Sequence, residues 1–277
     1  MARLSSRFAA HSPSLFSNSP LSNDQIRRVA PSIFAEEPHG SRSDRYTYIP
    51  TSAVLAKLRA NGFEPFMVAQ TRVRKEDRKD FTKHMLRLRH AGQANDSEAF
   101  EVILLNSHDG TSSYQMMAGA FRFVCMNGLV CGDVIGDIRI PHKGNVIDNV
   151  VQGAFDVLDG ADLVREVRDD MRAIALTPSE ERVFARAALE LKYEPSEGKP
   201  APVSEDQLLR PRRFDDRGGD LWTAFNRVQE NLMKGGLDAR TANGRRARTR
   251  AVQGIDQNVK LNRALFSLAQ GMRELKG

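Results

Sequence analysis

The order of apolar and polar positions changes character near the middle of the chain. In residues 81–90, Leu86 and Leu88 alternate with Arg87 and Arg89. Alternation with a period of two indicates a strand that buries one face. In the second half, apolar residues recur every three or four positions, which is the period of an amphipathic helix. The pattern predicts an α+β fold, an antiparallel β-meander with packed helices followed by a mostly helical C-terminal half.

The first half contains further strand and turn signals. Residues 100–105 form an almost continuous apolar run of strand length, and the following Asp109-Gly110 step is typical of a hairpin turn. Residues 119–128 change period, because apolar residues there fall at i, i+3 and i+4. We therefore expect a helix at 119–128 that ends at Asn127-Gly128.

Composition divides the chain into four predicted segments. Residues 1–45 are rich in Ser, Asn and Pro and predict an extended, partly disordered arm. Residues 46–192 carry the α+β core. Residues 193–219 contain a stretch rich in Pro, Gly, Ser and Glu and predict a linker. Residues 220–277 predict C-terminal helices with a flexible basic loop at 235–253.

Positive charge is concentrated in two places. The chain of 277 residues has a formal charge of +6. Residues 235–277 carry nine Lys/Arg and three Asp/Glu, and residues 72–90 carry eight and three, so the remainder is acidic. Two cationic patches on an acidic remainder favour a polyanionic partner. The alternative is solubility charge that clusters without a partner.

The first patch lies on the predicted strand at 81–90. Lys83, Arg87 and Arg89, together with Arg122, are the candidates for a groove wall that contacts phosphates. The alternative is a solvated strand face whose cations prevent aggregation.

The second patch is the arginine-rich loop. Its candidate phosphate contacts are Arg240, Arg245, Arg246, Arg248 and Arg250. No acidic residue lies between 240 and 250, so the five guanidinium groups would repel one another without a counter-charge. A mobile arm that orders on nucleic acid is therefore favoured over a solvated loop between helices.

Aromatic residues near these patches have two interpretations. Trp222, which is the only tryptophan, Phe225 and Tyr114 would be able to stack on bases. Phe225 also shares helical spacing with Leu221, Val228 and Leu232, which favours packing in a core.

No motif establishes an enzyme, and the sequence predicts a non-catalytic protein without cofactor or metal. A metal-dependent nuclease would need convergent ligands, for which the candidates are His108, Asp109, Asp133, Asp137 and His142. Their spacing matches no known metal cage, and Asp109 and Asp137 are explained as turn residues. Cys125 and Cys131 make no disulfide framework, which indicates the reducing cytoplasm. No apolar run is long enough for a membrane span.

Several segments together carry a family resemblance. Residues 119–129, Gly-Ala-Phe-Arg-Phe-Val-Cys-Met-Asn-Gly-Leu, resemble the hallmark of a prokaryotic phage- and plasmid-borne family known as a domain of unknown function, number 932. Residues 83–87, 106–110, 221–236 and 260–265 fit the same pattern in order. The resemblance implies a mobile-element protein and carries no catalytic residues. The predicted core is also similar in architecture to phage single-strand annealing recombinases, a fold-level analogy.

These observations lead to three hypotheses. The first is a nucleic-acid-binding protein of a phage or plasmid that binds single-stranded DNA as a ring or filament of identical subunits, in annealing or recombination. The second is an anti-defence module that binds a host nuclease or restriction complex through its acidic surface. The third is a metal-dependent nuclease centred on Asp109, Asp133 and Asp137.

Overall fold

The computed structural model describes residues 3–4, 13–37, 40, 48–72, 76–91, 98–122, 127–131, 137–141, 144–194, 200–241 and 244–276. The chain divides into two compact units, Met1–Ala161 with Gln253–Ile255, and Asp162–Val252 with Asp256–Gly277. The first holds an antiparallel sheet with helices and the second is mostly helical, so the predicted fold class is confirmed. The division follows residue 161, whereas composition placed the linker at 193–219.

The first unit is built around an antiparallel sheet. Its strands are β1 (Arg3–Leu4), β2 (Ser14–Phe16), β3 (Phe63–Gln70), β4 (His84–His90), β5 (Glu98–Asn106), β6 (Tyr114–Arg122), β7 (Asn127–Val130) and β8 (Ile138–Ile140). Strands β1 to β7 are neighbours in chain order, which is the predicted meander. β8 also pairs with β6, so β6 has β5 on one side and β7 and β8 on the other.

The helix predicted at 119–128 is wrong. Residues 119–122 belong to β6 and residues 127–128 to β7, and the two strands pair with Gly119 opposite Val130. Residues 123–126 lie outside the described part of the chain. The spacing at i, i+3 and i+4 rested on only three apolar residues, Phe121, Val124 and Cys125, which is too few to distinguish a helix from a strand.

The first unit also contains the helices α1 (Asn23–Val29), α2 (Thr51–Ala60) and α3 (Val146–Asp159) and a 3-10 turn, Pro31–Phe34. α1 lies within the predicted arm 1–45, which is therefore not extended throughout. A capping box between Ser22 and Gln25 begins α1, and buried Ile26 and Val29 hold it in place. α3 packs on the sheet, with the ring of Phe155 5.1 Å from that of Phe63.

The second unit contains α4 (Ala161–Ala173), α5 (Pro178–Tyr193), α6 (Glu205–Leu209), α7 (Leu221–Lys234) and α8 (Ile255–Lys276), with the hairpin strands β9 (Asp238–Arg240) and β10 (Arg246–Arg248). α6 and a 3-10 turn, Phe214–Asp216, occupy part of the predicted linker. α7 is buried along almost its whole length. Trp222 and Phe225 are in this core, Phe225 beside Phe266 of α8 at 5.9 Å, which confirms the packing interpretation.

Candidate nucleic-acid interface

The strand that was expected to present arginines to solvent is buried on both faces. Arg87 and Arg89 are 4% and 8% exposed, while Leu86 and Leu88 on the opposite face are 0% exposed. Both arginines bond to the fully buried Glu101: Arg87 Nε donates to Oε2, and Arg89 Nε donates to Oε1 at 2.9 Å. The prediction of one open face on β4 is therefore wrong.

Two glycines make room for the Arg87 guanidinium. Its Nη2 donates to the carbonyl of Leu129 at 2.7 Å, so the side chain reaches across β5 and β6 to β7. A Cβ on Gly128 would lie 2.6 Å from Arg87 Cζ, and one on Gly119 would lie 2.9 Å from Nη2. The glycines of the 119–129 motif thus have a packing role.

The remaining members of the predicted groove are also engaged. Arg89 Cζ lies 4.3 Å from the ring centroid of Phe66, and Arg122 pairs with Glu98 at 3.6 Å. Lys83 is half-buried just before β4. The structure corrects the predicted groove, because a phosphate would have to displace Glu101 before it reached Arg87 or Arg89.

The second predicted patch is open to solvent. Residues 238–250, called here the arginine hairpin, contain β9 and β10 in place of the predicted flexible loop. Its five arginines, Arg240, Arg245, Arg246, Arg248 and Arg250, are all exposed. Arg240 lies directly opposite Arg246 in the two-stranded ladder, and Arg248 lies opposite Asp238. With five arginines and one aspartate, the segment has a formal charge of +4.

One ion pair within the described residues partly offsets this charge, that of Arg248 with Asp238 at 3.4 Å. Both side chains are largely exposed, at 77% and 86%, so the pair is screened by water and weak. Arg245, Arg246 and Arg250 have no carboxylate partner in the part of the chain that the structure describes. The hairpin therefore presents a surface of net positive charge.

The base of the arginine hairpin is fixed to the helices of its own unit. Gln207 of α6 donates to the Asp238 carbonyl at 2.7 Å, and the Arg240 amide donates to the Pro202 carbonyl at 3.2 Å. Lys192 of α5 donates to the Leu232 carbonyl and, at 3.4 Å, to that of Arg250. Burial lowers the pKa of Lys192 to about 8. These bonds give the charged strands a defined position.

The sequence of this chain matches a known protein family over most of its length. Residues 38–266 match the family model described as Domain of unknown function (DUF932). The chain belongs to this family. UPF0380 protein YafZ of Escherichia coli (strain K12) is 51% identical over 272 residues, 98% of each chain. UPF0380 protein YfjQ of the same organism is 51% identical over 270 residues, 98% of this chain and 97% of the relative. No solved structure matches.

The DUF932 assignment confirms the resemblance drawn from the motifs, and the structure gives one of those motifs a physical role. Asn231 Nδ2 of α7 donates to the Leu208 and Arg210 carbonyls at 2.7 and 3.0 Å. Glu230 bonds Arg213 at 2.6 Å and Lys234 at 2.7 Å. Burial opposes ionisation of Glu230, but these cations hold its pKa below the usual value. The polar residues of this DUF932 segment therefore anchor neighbouring chain inside the protein.

The residues considered for a metal site do not come together where they are described. Asp109 accepts from the Thr111 amide at 3.0 Å, as a turn residue does. Asp133 and His142 lie outside the described residues, and Asp137 is half-buried. Within the described ranges no group of three His, Cys, Asp or Glu is arranged to hold a metal. None of the helices described in this chain is both long and apolar enough to cross a bilayer.

Two features were missed from the sequence. One is a buried network in which Thr51 Oγ1 lies 2.9 Å from His84 Nε2 and 3.2 Å from His108 Nε2. Burial, with His108 adding repulsion, holds the pKa of His84 well below its ordinary value. The other is Phe214, an exposed ring within a segment predicted as linker. The available signal was an aromatic residue among four arginines in 210–217.

Proposed function

We propose that this protein is a non-catalytic nucleic-acid-binding protein that contacts the phosphate backbone through the arginine hairpin. The observation that carries the proposal is the placement of Arg240 directly opposite Arg246, both exposed. Like charges directly opposite in a ladder are destabilising, by roughly 0.2–1 kcal/mol. A phosphate between the two guanidinium groups replaces this repulsion with charge-assisted hydrogen bonds.

The chemistry of such contacts is independent of sequence. Guanidinium groups bind phosphate oxygens in a bidentate manner, and each neutralised phosphate releases counterions, so affinity falls as salt rises. The finer form of the proposal is single-stranded DNA bound by a ring or filament of identical subunits. Mass photometry with and without an oligonucleotide tests it, since a ring or filament has a mass that is a multiple of the chain's.

The proposal is tested by replacing the opposed arginines. We expect Arg240→Gln with Arg246→Gln to weaken binding of a labelled oligonucleotide, measured by fluorescence anisotropy over a series of salt concentrations. The slope of log affinity against log salt should become less negative by roughly 1.4 units for a single strand. Stability to urea should be unchanged or slightly higher, because the repulsion of the two groups is removed.

The matched control removes two positive charges from α4 by Arg165→Gln with Arg172→Gln, whose side chains are 36% and 44% exposed. It should leave the salt slope close to that of the original chain. Absence of binding to both single and double strands at low salt would reject the proposal. That outcome would favour a protein-binding module.

A further inference from the structure

The second unit exposes an aromatic ring in an arginine-containing segment, residues 210–217. Phe214 is 76% exposed and is the most exposed aromatic side chain among the described residues. Arg217 lies over it, with Cζ 5.0 Å from the ring centroid. An isolated exposed apolar residue is common, so exposure alone carries little weight. The way the ring is held is more informative.

Ion pairs between a half-buried arginine and two buried carboxylates fix the chain on both sides of Phe214. Arg213, the preceding residue, bonds Glu230 at 2.6 Å and Asp216 at 2.7 Å. The two carboxylate side chains are only 3% and 2% exposed. Replacing an ion pair with buried carboxylates by apolar residues is often neutral for stability, so we assign these pairs a positioning role. They hold the 3-10 turn Phe214–Asp216 in place while the ring of Phe214 remains in solvent.

The same segment adjoins the base of the arginine hairpin. Arg212 donates from Nε to Asn231 Oδ1 and from Nη2 to the Gly235 carbonyl, both at 2.7 Å. Gly235 is the residue that follows α7 and leads to β9. Phe214 is two residues from Arg212, a chain distance of at most about 7 Å. Residues 210–217 have four arginines and two aspartates, so their formal charge has the same sign as that of the hairpin.

We propose that Phe214, with Arg217 over its ring, is a stacking platform for an unpaired nucleobase whose phosphates lie along the arginine hairpin. This rests on the proposed function and specifies its ligand as a single strand. Bases in a duplex already stack on both faces, whereas an unpaired base can stack on an aromatic ring. One such contact changes affinity by roughly 5- to 150-fold.

The test compares three ligands of equal length by fluorescence anisotropy: a thymine strand, an abasic strand and a duplex. We expect Phe214→Ala to weaken binding of the thymine strand by roughly 5- to 150-fold and to leave the abasic strand and duplex unchanged. Phe214→Trp should retain the affinity for the thymine strand, because indole also stacks. Val183→Ala is the control. Val183 is an apolar side chain of the same unit that is 60% exposed, and its truncation should leave binding of all three ligands unchanged.

The outcomes separate the two proposals. If the thymine strand binds Phe214→Ala as it binds the original chain, while Arg240→Gln with Arg246→Gln loses binding, the platform is rejected and the hairpin function stands. Equal losses on all three ligands, or a changed oligomeric mass of Phe214→Ala without DNA, would also reject the platform in favour of a subunit contact. If the original chain binds none of the ligands, both proposals fail.

Discussion

At the scale of single residues, the interior around Arg87 depends on two positions that have no side chain. The guanidinium lies over Gly128, donates to the Leu129 carbonyl and is paired with Glu101. A buried charge keeps such a position only while its partners remain bonded. The glycine next to it is therefore part of the ion-pair site, although it makes no polar side-chain contact.

We predict that Gly128→Ala lowers the free energy of unfolding by about 1–3 kcal/mol, because overpacking forces the Arg87 side chain out of its bonds. Urea denaturation measures the loss. Gly219→Ala is the control, since a Cβ there would meet nothing within 4 Å. In an Arg87→Met background the alanine at 128 should cost less, because a flexible apolar chain can move aside. Strictly additive losses would show that the two positions are not coupled.

The alternation of leucine and arginine in β4 did not predict that Arg87 and Arg89 are buried. Arginine is rarely buried, so alternation of Leu with Arg favours a half-exposed strand. The missing information was the partner: Glu101 lies on the adjacent strand, in an apolar run where a lone carboxylate needs a cation. Register between strands decides such pairs, and a single sequence does not specify register.

At the scale of elements, the end of α7 sets where the arginine hairpin begins. Gly235 has φ +60° and ψ −147°, and Gly236 has φ +78°. Both conformations favour glycine, but only Gly235 is also crowded, because a Cβ there would lie 2.6 Å from the Arg250 carbonyl carbon. For Gly236, nothing would lie within 4 Å of a Cβ. The two glycines are therefore not equivalent.

We predict that Gly235→Ala displaces the arginine hairpin and that Gly236→Ala does so much less. The backbone strain alone costs roughly 1–3 kcal/mol at each position, and the collision with Arg250 adds to it at Gly235. Thermal unfolding measures stability, and anisotropy with a labelled oligonucleotide measures hairpin placement. Equal effects of the two substitutions on both measurements would contradict this prediction.

The sequence predicted a flexible loop from residue 235, which is where α7 ends, but it contained the signals of the hairpin as well. Residues 238–240 and 246–248 each place an alanine between charged residues, and Asn243-Gly244 between them is a turn signal. The density of arginine favoured a mobile loop over these weaker signals. At 119–128 the sequence predicted a helix where the structure has parts of two strands. Residues 119–122 belong to β6 and residues 127–128 to β7, so the motif contributes only a few residues to each strand.

At the scale of the whole molecule, a buried polar network joins distant parts of the first unit. His84 of β4 lies 2.9 Å from both Ser32 Oγ and Thr51 Oγ1, which come from the 3-10 turn Pro31–Phe34 and from α2. Tyr114 OH of β6 lies 3.3 Å from the same Thr51 oxygen. These residues are far apart in sequence, so no pattern along the chain predicts that they meet.

This network gives the protein a stability that depends on pH with a defined sign. Burial, and after it the repulsion from His108, lowers the pKa of His84 well below 6.5. As pH falls through 6.5, His84 takes up a proton in the unfolded chain but stays neutral in the folded chain. The unfolded state then binds more protons, so the free energy of unfolding decreases by up to about 1.4 kcal/mol per pH unit below that value.

We therefore predict that urea midpoints measured between pH 7 and pH 5 fall in the original chain, and that His84→Gln removes most of this dependence. Glutamine can still bond Ser32 or Thr51 but takes up no proton, so the variant should be less stable at pH 7 and lose less on acidification. Acidic side chains titrate mainly below this window, and the other histidines are present in both proteins, so the difference between the two profiles reports the effect of replacing His84. Parallel pH profiles for the two proteins would show that His84 is protonated as easily in the folded chain as in the unfolded one.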